Sequence, residues 1–214
     1  MQLEREHETV HWLYHAATAH LCLDDDGQVV DYLTRCVGVA QRFANHFWRA
    51  LCTFLTGCRL LGRGQHRAAL ATLQEVEAQL GDRVEVSYVW AMTGYVYWRL
   101  GDYGAAQQMV IRALAAAQAN SSVGTLALAL PAAALLLQRQ GVEPQRVAQL
   151  YALAETLPYV GASPFFWRLA GQQLVAPAQS PLPANAELDQ ERHPDLWTVA
   201  REVQAQLSGS PHAR

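Results

Sequence analysis

The residues of this chain whose types and spacing could carry chemistry start at its N-terminus, where His7, Glu8, Thr9, Val10 and His11 spell HExxH. On a helix, two histidines four apart share a face and can hold zinc, while the glutamate between them can act as general base in a hydrolysis. His15 comes four residues later, so His7, His11 and His15 fall on one helical face. The longer metalloprotease pattern is broken, because HWLYHAATAH has no glycine at the required place and no glutamate-bearing helix stands out downstream. A catalytic zinc needs three protein ligands and an open position in a cleft. Zinc-dependent hydrolysis through His7, Glu8 and His11 is therefore the alternative, and histidines on a solvated or partly packed helix face are the default. Asp24, Asp25, Asp26 and Gly27 lack the alternating ligands and distal glutamate of a calcium loop. Cys22, Cys36, Cys52 and Cys58 have no CxxC spacing, which suits a reduced, cytoplasmic setting, and Cys52 and Cys58, six apart, read as small apolar packing. No GxSxG sequence is present to form a hydrolase nucleophile elbow.

Composition removes other chemistries. All 16 basic residues are arginine. Without lysine there is no Walker-type phosphate loop, no Schiff base and no kinase strand lysine. The net charge of −3 and the absence of any basic run argue against a nucleic-acid surface. The most apolar stretch, Leu126 to Leu137, is too short to span a bilayer and contains Pro131, and the first residues are charged where a signal peptide would be apolar. With 51% hydrophobic residues in 214, the chain can build the core of one medium domain or a short repeat array.

The elements that must position these residues follow from an internal period. Gly27, Gly64 and Gly101 stand 37 residues apart, Gly57 and Gly94 repeat that step, and Gly141 follows Gly101 by 40. Apolar residues at three and four spacing, as in Leu70, Leu73, Val76 and Leu80, fix the state as helical, and strand alternation is lacking. Gly27, Gly64 and Gly101 are expected in left-handed turns between paired helices. The chain divides into units at residues 8–45, 46–82, 83–120 and 121–158, with a cap at 159–175 built on a helix from Pro164 to Val175. Proline-rich residues 176–193 read as a linker, 194–208 as a C-terminal helix, and 209–214 as a disordered tail. That last helix presents Leu196, Ala200, Val203 and Leu207 on one face with Trp197 beside them, a face suited to docking back.

In the third unit, Trp90, Gly94, Tyr97, Leu100, Gly101, Tyr103, Ala106 and Ala113 are spaced in a way that resembles the tetratricopeptide repeat. Thr93 replaces the usual leucine and Val110 the usual aromatic, and the period exceeds the family's length of about 34. Residues 85–207, with LALALPAAALLLQRQGVEPQR and DLWTVAREVQAQL, resemble the C-terminal tail of bacterial MalT-like and SARP-type signalling ATPases that regulate transcription. The resemblance implies an all-α, right-handed superhelical solenoid of about four tetratricopeptide-like helix pairs with a capping helix and a C-terminal docking helix. It also implies a non-enzymatic sensor or docking segment without a cofactor, since the family's ATP- and DNA-binding parts lie outside this chain. The first helices of such pairs line a concave face. Its candidate contacts are Tyr14, Phe54 and Cys58, then Tyr88, Tyr95, Trp98 and Arg99, then Gln138 and Arg139. Expected partners are a protein, a peptide or a small-molecule effector, with neither nucleic acid nor membrane; a purely architectural or self-associating segment is the remaining alternative.

Overall fold

The computed structural model describes residues 2–175 and 196–209, which are helical apart from short turns and contain no strand. The helices are α1 (Gln2–Cys22), α2 (Asp26–Arg42), α3 (His46–Gly62), α4 (His66–Leu80), α5 (Val86–Leu100), α6 (Tyr103–Ala119), α7 (Val123–Arg139) and α8 (Pro144–Glu155). A capping segment follows as α9 (Pro164–Phe166), a π-helical turn (Trp167–Gly171) and α10 (Gln172–Val175), and α11 (Leu196–Gly209) is the last described element. Consecutive helices pack as hairpins, and α1, α3, α5 and α7 also pack on one another in that order.

Short polar side chains start these helices. Asp25, Asn45, Asp102 and Ser122 each accept a hydrogen bond from the main-chain N–H three residues on, which satisfies a donor the helix leaves free. Left-handed residues end them: Gly64 (φ +74°) and Gly101 (φ +81°) hold that role as expected. Gly27 does not. It lies inside α2, and the left-handed residue of the first turn is Asp24 (φ 63°), because the Asp25 cap starts α2 before Gly27 is reached and aspartate tolerates this conformation better than most side chains.

The other glycine pair sets the hairpin spacing. A Cβ on Gly57 would lie 2.8 Å from Leu73 Cδ2, and one on Gly94 would lie 2.8 Å from Val110 Cγ2. Leu73 and Val110 are themselves 37 apart, so one close contact recurs in both hairpins. Helix α7 is buried on all sides from Thr125 to Leu137. That burial explains an apolar run too short for a bilayer, and no described helix is long and apolar enough to cross one.

Helix α11 packs on α6 and α7 through Val199, Ala200, Val203 and Leu207, with Leu196 and Trp197 partly buried beside them. Gln107 Nε2 donates to the Leu207 carbonyl at 2.6 Å, Gln118 Nε2 donates to Gln204 Oε1 at 2.6 Å, and Arg146 pairs with Glu202 at 2.9 Å. The expected linker at 176–193, the first two residues of the expected helix, and the tail beyond Gly209 lie outside the described residues.

Candidate functional site

The 37-residue period arranges the inward faces of α1, α3 and α5 in layers. His11, Trp48 and Glu85 form one layer, Tyr14, Leu51 and Tyr88 the next, and Thr18, Leu55 and Met92 a third, each residue 37 from the one before. Within a helix these layers are separated by three and then four residues, the spacing that keeps side chains on one face. All nine line a cavity of about 280 Å³, which Leu128 of α7 and Tyr159, Phe165 and Phe166 of the capping region complete. Leu21 and Cys58, again 37 apart, line it too, and Tyr95, a further 37 along, packs against Phe166 with ring centroids 6.2 Å apart.

The capping segment packs beside the cavity, held by side chains that donate to its main chain. Arg99 Nη2 donates to the carbonyls of Arg168 at 2.8 Å and Leu169 at 2.9 Å, and Gln138 Nε2 donates to that of Gln173 at 3.0 Å. In the other direction, Ser163 Oγ donates to the Cys22 carbonyl at 2.9 Å, while Arg168 donates to the Gly62 carbonyl at 3.3 Å and pairs with Asp24. Gly62 has room only for hydrogen, because a Cβ there would lie 2.7 Å from the Phe165 ring.

The residues expected to meet a partner thus divide. Tyr14, Phe54, Cys58 and Tyr88 line the cavity. Arg99 and Gln138 are engaged by the chain's own cap. Tyr95 is 1% exposed and donates from its hydroxyl to the Leu128 carbonyl at 3.0 Å, in the turn of α7 that precedes Pro131. A partner contact at Tyr95 is thereby revised to an internal one. Trp98 packs edge-on against Tyr103, and the Arg139 guanidinium lies 3.6 Å over that same ring. Trp90, of the repeat-like signature, is half-buried, donates to Glu77 Oε1 at 2.7 Å and stacks under Arg112.

The histidines are not gathered as a zinc site. His7 Nδ1 accepts from the Trp48 indole at 3.3 Å, Glu8 is exposed, and His11 Nε2 faces His15 Nε2 at 3.1 Å. Among the described residues no group of three or more His, Cys, Asp or Glu is placed to hold a metal. Burial, aided by neighbouring His11, lowers the His15 pKa below the ordinary histidine value. The four cysteines are free thiols, with Cys52 and Cys36 in contact at 3.0 Å between sulfurs.

Burial pushes the Tyr14 hydroxyl well above the usual phenol range, with Cys58, Tyr159, Cys52 and Tyr88 adding to the effect, and it raises Tyr159 and the thiols of Cys22 and Cys58 as well. The cavity wall is accordingly uncharged over most of its extent, and among the described residues its only carboxylate is Glu85. Trp48, Glu85, Tyr159, Phe165 and Phe166 were not among the sequence candidates. Stepping His11 through the 37-residue period would have found the first two. No family model, curated protein or solved structure matches the chain.

Proposed function

We propose that the chain is a non-enzymatic sensor module that takes up a small, largely apolar molecule in the cavity between α1, α3, α5 and the capping segment. In this reading the four hairpins form a right-handed superhelical solenoid. Its concave face is shared between the chain's own cap and the ligand, as suits the tail of a signalling ATPase of the MalT-like or SARP type. The observation that carries the reading is the cavity itself. Its 280 Å³ falls just below the range of about 300–1,000 Å³ common for small-molecule sites. Its wall is aromatic and aliphatic, and the hydroxyls of Tyr14, Tyr88 and Tyr159 make no hydrogen bond among the described residues and so remain able to orient a guest. Chain that would otherwise leave a peptide-length groove fills it instead, which favours a small guest over an extended one.

The test is uptake of the neutral dye N-phenylnaphthylamine, followed by its fluorescence. Wild type is expected to bind one dye per chain. Thr18→Trp, which places a large ring in the cavity, is expected to weaken uptake by at least about tenfold with the unfolding midpoint kept. Equal uptake by both proteins, or none by wild type, would contradict the proposal.

A further inference from the structure

Resting on that reading, we infer that the guest is an organic cation, an ammonium group carrying an apolar body, seated among the aromatic rings of the cavity and facing Glu85. Four observations on the wall converge. Tyr14, Phe47, Trp48 and Tyr88 line it from α1, α3 and α5, and ring faces attract a cation through their quadrupole. Glu85 lines it as a half-buried carboxylate that, among the described residues, forms no ion pair or side-chain hydrogen bond, not even a capping bond to its own helix. A bound ammonium ion would give this carboxylate the cationic partner that the described residues do not supply. Among the described residues no arginine lines the cavity. His11 and His15, at the exposed end, are the other groups there able to gain positive charge, and His15 is held toward its neutral form. An anion would meet Glu85 and no fixed positive charge. A neutral guest would leave that carboxylate unmatched.

The nearest competing use of Glu85 is to balance the positive end of the α5 dipole, which begins at Val86. That role would appear as stability and would not discriminate among guests. The experiment is therefore calorimetric titration of the full chain with three compounds of one size: benzyltrimethylammonium, its neutral carbon counterpart neopentylbenzene, and phenylacetate. The cation is expected to bind about tenfold more tightly than the neutral compound, and phenylacetate not measurably. Glu85→Gln is expected to erase the tenfold preference while leaving neopentylbenzene and the neutral dye bound as in wild type. Equal affinity for cation and neutral compound, or a preference that survives Glu85→Gln, overturns the inference and leaves the cavity reading intact. Failure of the dye and all three compounds overturns both.

Discussion

Replacing Tyr95 by alanine is expected to lower the free energy of unfolding by roughly 3–5 kcal/mol, the cost of deleting a fully buried aromatic ring. The ring is 1% exposed, packs against Phe166 and ties α5 to α7 through the Leu128 carbonyl. Removing it leaves a void at the centre of the hairpin stack and takes from α7 a hydrogen bond near Pro131, where the helical ladder already lacks one donor. Tyr95→Phe separates the two contributions: it keeps the ring, loses only the hydroxyl bond, and is expected to cost about 1 kcal/mol. Chemical denaturation of the three proteins measures this. A Tyr95→Ala protein as stable as wild type would place the ring at a surface and contradict the packing described.

Phe165→Ala is expected to cost a similar 3–5 kcal/mol and, unlike Tyr95→Phe, to abolish dye uptake. Phe165 is 2% exposed, lies on Gly62, stacks edge-on with Phe166 at 5.2 Å and forms part of the cavity wall. It couples two things that are separable elsewhere, the seating of the cap and the shape of the cavity. Without it the cap keeps its hydrogen bonds from Arg99 and Gln138 but loses an apolar anchor, and the cavity loses part of its wall. Parallel denaturation and dye titration check both halves. Stability lost with dye affinity unchanged would separate cap from cavity and refute their coupling.

The helical state and the hairpin turns were legible in the sequence because they depend on local signals. Gly64 and Gly101 occupy turns that demand a left-handed residue, and Gly57 and Gly94 permit the close approach that recurs at Leu73 and Val110. Gly27 misled because an equal interval does not establish an equal role: Asp24 and Asp25 supply the turn and the cap before it. The inward faces of α1 and α3, and Tyr88 on α5, were also within reach, since periodicity says which residues share a face. What periodicity leaves unsaid is what covers that face. Arg99 and Gln138 read as free contacts because their acceptors, the carbonyls of Arg168, Leu169 and Gln173, lie 35 or more residues away and carry no side-chain identity. Glu85 was within reach of the same period, but which side chains it meets is fixed by packing and is not legible in the sequence.

The measurement that bears most directly on a cavity walled in part by the chain's own cap is amide hydrogen exchange with and without saturating neutral dye. Ligand binding slows exchange where it restrains opening. Slower exchange in α1, α3, α5 and residues 164–175, with α2, α4 and α6 unchanged, is the expected pattern. Protection confined to α2, α4 and α6, or no change anywhere while the dye is bound, would contradict it.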